Sequence, residues 1–357
     1  MKYLLHGATD MGSSNYGDFL YGYLIYNYLK NIDLNNEIDF YNPSDYFVKY
    51  LNLSKKTKIK WKNYNCAIYI PGGYFGEGHD ARFRDNLIQW LRFMIFGLKS
   101  LYHKKRLFII AIGAGPINSF LMKQTIRKLV SKADFITVRD HESYEALSNL
   151  QTKSRIIESS DLIISQTFKF NIDKNILQDY KSDNNDTKIL LVHYNHSKIA
   201  LEKFAEAINL FLEKHKNYRV IVTSDCYLNK ENELFKIFSR KINTKTELFH
   251  YDSPFVFTEF LKKVDLVLTC KLHLGVVSCM FNKSVIVSAV HPEKTTRFYK
   301  QIGEEARCVS LFDTNSYYIY ELMEEYHDKK IVIPDEVIVK ANITRVLLDE
   351  KLKQTTY

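Results

Sequence analysis

Residues 107–116 read Leu107-Phe108-Ile109-Ile110-Ala111-Ile112-Gly113-Ala114-Gly115-Pro116, so six consecutive apolar residues run into a glycine-rich turn. An apolar run of this length without alternation is typical of a strand that is buried on both faces, as in a parallel sheet. Stretches with helical spacing flank it on both sides, which is the rhythm of βαβ units. The segment therefore predicts the middle of a doubly wound α/β sheet.

The same alternation extends outward through the first half of the chain. Predicted strands are Lys2–Leu5, Glu37–Phe40, Cys66–Ile70, Leu107–Ile112 and Phe135–Val138, and predicted helices lie near Tyr16–Lys30, Asp80–His103 and Asn118–Lys132. The apolar start is too short for a signal peptide and reads as the first strand, so we expect a cytoplasmic protein. Residues 1–168 are predicted to form an N-terminal Rossmann-like domain.

A polar stretch then interrupts the pattern, and residues 169–187 are predicted to be a linker with few residues able to pack. Beyond it, elements are predicted at Lys188–Tyr194, Ser197–His215, Tyr218–Thr223, Asn229–Lys241, Asp265–Cys270 and Ser284–Val290. We expect a second Rossmann-like domain over residues 188–330 and a C-terminal helix within 331–357 that packs back on one domain. The two sheets are predicted to face a shared cleft, where ligands of open α/β folds bind.

Length, charge and cysteine usage set outer limits on function. The chain has 357 residues, which suggests two domains, and a formal net charge of +9. This charge favours anionic partners but does not separate nucleic acid, a phosphorylated small molecule and a lipid surface. Dispersed basic residues and the lack of a reader motif argue against nucleic acid. The five cysteines lack CxxC spacing and are expected to be reduced core residues, and no metal-binding motif is present.

The most informative local pattern follows the strand predicted at Asp265–Cys270. The next residues are Lys271, Leu272 and His273, so a cation and an imidazole reach the first turn of a helix, where the helix dipole adds positive potential. Lys294 and Arg297 follow the next predicted strand. Anions would collect at this edge, although a single histidine in an apolar run is more often structural.

Three features of the first half also follow strands. The loop from Gly12 through Ser13 and Ser14 to Asp18 offers amide groups for an anion or for sugar hydroxyls, but Asn15 or Asp18 could instead cap the helix. Gly72 and Gly73 permit a close approach of the backbone to a ligand. Arg139 could bind a phosphate or a carboxylate in bidentate fashion, or form a surface pair with Asp140.

One apolar stretch with a basic end, Leu87–Arg106, has two interpretations. It could rest on an anionic bilayer, which would bring the protein to the inner face of the membrane. Alternatively, it is buried between the predicted domains. The sequence favours burial.

Taken in order, these landmarks resemble the polysaccharide pyruvyl transferase family. The matching motifs are Asn15-x-Gly17-Asp18, Gly72-Gly73, Ile112–Pro116, Ala133–Asp140 with Ser143, Lys271-Leu272-His273, and Lys294 to Gly303, which together span most of residues 1–305. The chain departs from the family in having Lys271 where relatives carry arginine, which loses the planar fork of a guanidinium. It also has Ser160-Asp161-Leu162 where many relatives carry Asp-Pro.

The resemblance implies a glycosyltransferase-B-like fold and transfer of a pyruvyl group from phosphoenolpyruvate to a pair of sugar hydroxyls as a ketal. The acceptor would be a cell-surface polysaccharide or its lipid-linked precursor, with phosphoenolpyruvate as donor substrate and no cofactor or metal. The donor site would comprise Arg139, Lys271, Leu272, His273, Lys294, Arg297, Gly72 and Gly73, and the acceptor site Asn15, Gly17 and Asp18. We expect Arg139, Lys271 and His273 to carry catalysis, with His273 as general acid because bound anions would keep it protonated.

Two other functions remain open. A nucleotide-sugar glycosyltransferase of the same architecture is the main alternative, although two glutamates eight positions apart, common around the donor ribose of such enzymes, are absent between Asp265 and Ser310. A non-catalytic sugar-binding relative is the other, motivated by Lys271.

Overall fold

The computed structural model describes residues 1–10, 15–53, 59–77, 83–165, 170, 173–180, 187–227 and 231–353. The chain divides into two compact units, which are described separately below. Unit 1 comprises Met1–Ser14, Asp18–Gln166 and Asp335–Tyr357, and unit 2 comprises Asn15–Gly17 and Thr167–Pro334. The sequence-based boundaries placed Asn15–Gly17 in the first domain, whereas their contacts group them with unit 2. The predicted cleft stays a prediction.

Strands and helices alternate along the described chain. The elements up to residue 165 are β1 (Lys2–His6), α1 (Tyr16–Ile32), β2 (Glu37–Phe40), α2 (Asp45–Tyr50), β3 (Cys66–Tyr69), β4 (Gly72–Phe75), α3 (Phe83–Gln89), α4 (Ile95–Tyr102), β5 (Arg106–Ala114), α5 (Phe120–Lys132), β6 (Phe135–Val138), α6 (His141–Ser148) and β7 (Ile157–Glu158). A π-helical turn, Trp90–Met94, joins α3 to α4. The later elements are β8 (Lys188–His193), α7 (Lys198–Lys214), β9 (Tyr218–Thr223), α8 (Glu231–Lys241), β10 (Thr246–Phe249), α9 (Pro254–Leu261), β11 (Leu266–Thr269), α10 (Leu272–Met280), β12 (Ser284–Ala289), α11 (Pro292–Gln301), β13 (Cys308–Ser310), α12 (Ser316–Tyr326) and α13 (Asp335–Lys353).

The predicted elements are confirmed, with ends that differ by a few residues. The helix predicted over Asp80–His103 is α3, the π-helical turn and α4 in succession, and residues 80–82 lie outside the described part of the chain. The same holds for Asn229 and Lys230 ahead of α8. None of the described helices combines the length and the apolar character that crossing a membrane requires.

The sheet of unit 1 is parallel, with the order β2-β1-β3-β5-β6-β7 and with β4 beside β5. Leu107–Ile112 of β5 has no solvent exposure, as a strand covered on both faces requires. The strand order reverses between β1 and β3, so the carboxyl ends of these two strands mark the switch point of the sheet.

An extra residue distorts the pairing of β5 with β6. Ile109 pairs with Ile136 and Ile112 with Val138, so three steps on β5 match two steps on β6. Ala111 has a φ of 42° in this β-bulge, and its N–H donates to Thr137 Oγ1 at 2.8 Å. The bulge therefore changes which side chains of the rest of β5 face each side of the sheet.

The glycine-rich segment after β3, Pro71–His79, was not among the predicted strands, but part of it forms one. Gly72–Phe75 forms strand β4, which pairs with β5 through Gly72 and Phe75. A Cβ on Gly76 would lie 2.8 Å from the Gly115 nitrogen and the Pro116 oxygen, so at that position a glycine is needed for two turns to pack. Gly78 and His79 of the same segment lie outside the described residues.

The sheet of unit 2 is also parallel, with the order β10-β9-β8-β11-β12-β13. Numbered within the unit, this is the 3-2-1-4-5-6 order of dinucleotide-binding folds, with the switch point between β8 and β11. Ligands in such sheets bind beyond the carboxyl ends of the strands at the switch point. His193 and Thr269 end these two strands.

Two segments at the ends of the predicted domains pack within single units. Helix α13 belongs to unit 1, where Thr344 Oγ1 donates to Ser159 Oγ at 2.9 Å. Leu177, within the predicted linker, is buried in unit 2, and the ring of Tyr180 lies 5.1 Å from that of Phe249. The described part of the linker thus has more residues that pack than its composition predicted.

Candidate active site

The first turn of α10 lies at the switch point of unit 2. Thr269 ends β11, Cys270 follows it, and Lys271 occupies the position before the helix, with its N–H bonded to Thr269 Oγ1 at 3.1 Å. Leu272 and His273 begin the helix, and all three residues of the predicted triplet are half-buried. The structure therefore places the Lys271 and His273 side chains where the helix dipole adds positive potential.

A buried carboxylate pairs with this cation. Asp225 follows β9, is 1% exposed, and has its Oδ1 atom 2.9 Å from Lys271 Nζ. Burial alone would raise the pKa of Asp225, but Lys271 and then His193 hold it well below its usual range. Burial would likewise lower the pKa of Lys271, and Asp225 outweighs this and raises it. Both groups are therefore charged across the physiological pH range.

A buried histidine completes the cluster. His193 ends β8, its Nδ1 atom lies 2.9 Å from Thr269 Oγ1, and its Nε2 atom lies 3.4 Å from Asp225 Oδ1. Sequence reasoning missed both His193 and Asp225. Each ends or closely follows a buried strand of the second sheet, which is the criterion that had identified Lys271, so the same criterion applied to β8 and β9 would have found them.

The start of α1 contributes to the same cluster in unit 2. Asn15 Oδ1 accepts a hydrogen bond from Gly17 N at 3.1 Å. Asn15 therefore caps the helix, which is the structural alternative that the sequence had left open. Asn15 Nδ2 also donates to Asp225 Oδ2 at 3.3 Å. A Cβ on Gly17 would lie 2.0 Å from His273 Nδ1, so the imidazole occupies the space that any side chain there would need. Gly12, Ser13 and Ser14 of the predicted loop lie outside the described residues.

Lys294 and Arg297 lie on consecutive turns of α11, which follows β12, the neighbour of β11. Helix α10 packs against α11 where a Cβ on Gly275 would lie 2.5 Å from the Tyr299 hydroxyl. Two helices with basic residues near their starts therefore follow adjacent strands of one sheet.

Arg139 has a different environment at the carboxyl edge of the sheet of unit 1. It follows β6, is 8% exposed, and has its Nε atom 3.5 Å from Asp140 Oδ2. Tyr21 donates to Asp161 Oδ2 at 2.6 Å in the same network. Burial would lower the pKa of Arg139, but Tyr21, Asp140 and Asp161 raise it. The pair with Asp140 therefore forms as the alternative interpretation predicted, but it is buried and does not lie on the surface.

The remaining predicted residues belong to unit 1. Asp18 lies in the first turn of α1, Gly72 is buried in β4, and Gly73 is exposed in that strand. Their predicted roles stay predictions.

The cluster in unit 2 has the components of an anion site with an adjacent proton donor. Lys271 and the N-terminus of α10 concentrate positive potential, and the imidazole of His273 lies on the first turn of the same helix. The ion pair with Asp225 restricts where the ammonium group of Lys271 can lie.

Comparison with solved structures shows the fold. A putative UDP-N-acetylglucosamine 2-epimerase from Listeria monocytogenes has 14% identity and a TM-score of 0.66, covering 99% of this chain and 97% of that chain. The UDP-GlcNAc 2-epimerase from Neisseria meningitidis has 13% identity and a TM-score of 0.63, covering 99% and 100%. MurG from Acinetobacter baumannii has 10% identity and a TM-score of 0.53, covering 99% of each chain. These neighbours have GT-B-type folds, so the predicted fold class of two parallel-sheet α/β domains is confirmed.

Comparison of sequences shows the family. No curated protein sequence matches the chain significantly. The sequence profile described as polysaccharide pyruvyl transferase matches residues 15–292, well over half of the chain and including every residue from Asn15 to His273 discussed above. The chain is therefore a transferase that belongs to the polysaccharide pyruvyl transferase family.

Proposed function

We propose that this protein transfers a pyruvyl group from phosphoenolpyruvate to two hydroxyls of a sugar in a surface polysaccharide or its lipid-linked precursor, forming a ketal. The observation that carries the proposal is the placement of Lys271 and His273 on the first turn of α10, at the switch point of the sheet of unit 2. Membership of the family supports the reaction class. No cofactor or metal is part of the proposal.

The donor requires several positive groups because it carries a phosphate and a carboxylate. Lys271 and the amide groups at the start of α10 are the first of these in the proposal, and Lys294 and Arg297 on α11 are the second. A lysine offers a point charge where the family has a planar fork. The 2.9 Å contact with Asp225 compensates in part, because it restricts where the ammonium group can lie.

The chemistry needs one acid and two hydroxyl nucleophiles. His273 donates a proton to the methylene carbon of phosphoenolpyruvate, which becomes a methyl group and leaves a cationic centre at the neighbouring carbon. One sugar hydroxyl adds there and loses its proton, which restores the protonated imidazole. The second hydroxyl then forms the other carbon–oxygen bond as the carbon–oxygen bond to phosphate breaks, and its proton leaves with the phosphate.

The structure supports a positioning role for Asn15 and Gly17 beside their predicted acceptor role. Asn15 holds Asp225, and Gly17 leaves the space that the His273 ring fills. For Arg139, Gly72, Gly73 and Asp18, donor or acceptor binding stays a proposal that rests on the resemblance.

The first experiment measures thermal stability of the purified chain with phosphoenolpyruvate and, separately, with uridine, guanosine and cytidine sugars. A ligand present at about a hundred times its dissociation constant stabilises the folded state by about 2.7 kcal/mol, which is easily detected. We expect stabilisation by phosphoenolpyruvate alone, weakened in Lys271→Met and retained in Lys216→Met, whose exposed lysine lies on unit 2 outside the candidate site.

Stabilisation by a nucleotide sugar and none by phosphoenolpyruvate would contradict the proposal and favour a glycosyltransferase. Phosphate release from phosphoenolpyruvate that depends on an added glycan, followed by detection of the ketal by mass, would then establish the reaction.

A further inference from the structure

A surface of unit 1 combines exposed apolar side chains with a concentration of positive charge. Its apolar members are exposed by 45% or more on α3, the π-helical turn, α4 and the start of α5: Ile88 (52%), Leu91 (52%), Tyr102 (80%), Phe120 (77%) and Leu121 (45%). Its basic members are Lys99, Lys123, Arg127, Lys128 and Lys132. We refer to these ten residues as the basic-apolar surface. The proposed donor chemistry uses none of them.

The two helical segments that carry these residues pack against each other. Trp90 Nε1 donates to Thr125 Oγ1 at 2.9 Å, and the Thr125 hydroxyl donates to the Leu121 carbonyl, which fixes the start of α5 beside the π-helical turn. Further along, α4 and α5 border a groove of about 630 Å³ that is lined by apolar side chains of α4 and by Lys99, Lys128 and Lys132. Tyr102 and three of the lysines therefore line one groove, and the other members lie on the same two packed helical segments.

The two segments that carry this surface hold most of the net positive charge of the chain. Residues 83–105 hold five basic side chains and one acidic side chain, and residues 120–132 hold four basic side chains and no acidic one. These two segments thus account for eight of the nine net positive charges of the protein. The basic residues as such are dispersed, as predicted, but the excess of basic over acidic residues is local. The segment Leu87–Arg106, for which burial was favoured, is buried only in part, since Ile88 and Leu91 are exposed.

We propose that the basic-apolar surface docks the protein on a bilayer that contains anionic lipid. Exposed leucine, isoleucine and aromatic side chains gain by entering the boundary between headgroups and acyl chains, and lysines beside them pair with lipid phosphates. Isolated exposed apolar residues need no explanation, but their grouping with most of the net charge does. The proposal goes beyond the transfer reaction, which by itself requires no membrane.

Charge also decides between a bilayer and a second copy of this chain. A symmetric dimer through the basic-apolar surface would bring two segments with the same positive charge against each other, which is repulsive. Nucleic acid would pair with the lysines but would leave Ile88, Leu91 and Phe120 in water. An anionic bilayer satisfies both kinds of side chain at once.

The test is flotation of the full chain with vesicles of phosphatidylcholine alone or with added phosphatidylglycerol. We expect binding to the anionic vesicles, and release when salt is raised from about 0.1 M to about 1 M, where the screening length falls from about 10 Å to about 3 Å. Replacing Lys123, Arg127, Lys128 and Lys132 together with glutamine should weaken binding at least about tenfold. The matched control replaces the exposed Lys216, Lys236, Arg240 and Lys245 of unit 2 with glutamine, which removes the same charge elsewhere.

A second pair of variants tests the apolar part of the surface. Ile88→Gln, Leu91→Gln and Phe120→Gln together should also reduce binding, whereas Ile199→Gln, Ile237→Gln and Phe312→Gln, three exposed residues of unit 2, should not. Circular dichroism confirms that each variant is folded. Thermal stabilisation by phosphoenolpyruvate should be the same in all four variants, so failure of the membrane proposal and failure of the donor proposal are distinguishable.

Equal binding to neutral and anionic vesicles, no binding to either, or equal loss in the control variants would overturn the proposal. It would also be overturned by a concentration-dependent dimer in analytical ultracentrifugation that disappears in the glutamine variants of Ile88, Leu91 and Phe120, combined with no flotation. A gel-shift with RNA that depends on the lysines, without vesicle binding, would assign the surface to nucleic acid instead.

Discussion

The last residue of the first strand is a buried histidine in both units, but the two histidines have opposite environments. His6 ends β1 and lies among aromatic rings, with its centroid 4.8 Å from that of Phe96 and its Nε2 atom 2.9 Å from the Arg92 carbonyl oxygen. Burial lowers the pKa of His6 to about 4. His193 ends β8 and contacts Thr269 and Asp225 instead. The same topological position therefore holds an apolar cage in unit 1 and an ionic cluster in unit 2.

The cations at the two sheet edges differ in a similar way. Arg139 is 8% exposed and has two carboxylates, Asp140 and Asp161, around it, whereas the Lys271 side chain is 30% exposed and has one, Asp225. A buried cation with an excess of carboxylates is already neutralised, while a half-exposed one with a single carboxylate retains attraction for an anion. On accessibility and the number of counterions, we therefore expect Lys271 to attract an anionic ligand more strongly than Arg139 does.

The largest expected effect is a difference in catalytic rate between variants at the carboxyl edges of the two sheets. His273→Ala should slow ketal formation by about a hundredfold to ten-thousandfold, because it removes the proposed general acid. His141 follows Arg139 at the edge of unit 1 much as His273 follows Lys271, so His141→Ala is the matched control and should keep its rate. Phosphate release measures both, and a large loss in His141→Ala instead would reverse the comparison.

The next effect is a difference in the free energy of unfolding between variants of the two cations, Arg139 and Lys271. Arg139→Met leaves two buried carboxylates without their cation and should lower the free energy of unfolding by about 3–5 kcal/mol. Lys271→Met should cost roughly half of that or less, because water reaches this side chain and only one carboxylate, Asp225, loses its cation. Urea denaturation measures both, and equal losses would show that the two cations have the same structural role.

The histidine of the apolar cage should make stability depend on pH. The folded-state pKa of His6 is about 4 and the unfolded-state value about 6.5, so the unfolded chain binds the proton first as the pH falls. Stability should therefore be complete above about pH 6.5 and fall by about 3 kcal/mol by about pH 4. Urea denaturation of wild type and His6→Gln at several pH values isolates the contribution of His6 to the pH dependence of stability. An unchanged pH dependence in the variant would contradict the prediction.

The smallest effect concerns the departure from the family at Lys271. Lys271→Arg should retain binding of phosphoenolpyruvate to within a few fold, because the charge remains and a fork becomes available, whereas Lys271→Met should weaken it by about tenfold or more. Isothermal titration measures both affinities. If Lys271→Arg loses as much affinity for phosphoenolpyruvate as Lys271→Met, the contact with Asp225 requires an ammonium group. A guanidinium group would then not fit at this site.

The sequence predicted most strands of both sheets because their apolar runs are buried on both faces. It missed β7, β10 and β13, which are short strands at sheet edges. It also did not predict β4, Gly72–Phe75, because glycines disfavour strands unless another segment packs closely. Lys271 and His273 were found because they are neighbours in sequence. Asp225 and His193 lie 46 or more residues from Lys271 and were missed because the strand-end criterion was not applied to β8 and β9, whose ends the sheet order β9-β8-β11 brings beside Lys271.

The β-bulge at Ala111 has a consequence for which kinds of mutation the first unit tolerates. A Cβ on Gly113 would lie 2.9 Å from the Arg139 guanidinium, so a larger residue there would displace that group. Deleting the extra residue of the bulge would turn every later side chain of β5 to the opposite face of the sheet. Ile112 or Ala114, in place of Gly113, would then face Arg139. Substitutions along β5 would change one contact each, whereas deletion of a single residue would change the whole strand end. Tolerance at this edge should therefore be far lower for deletions than for conservative replacements.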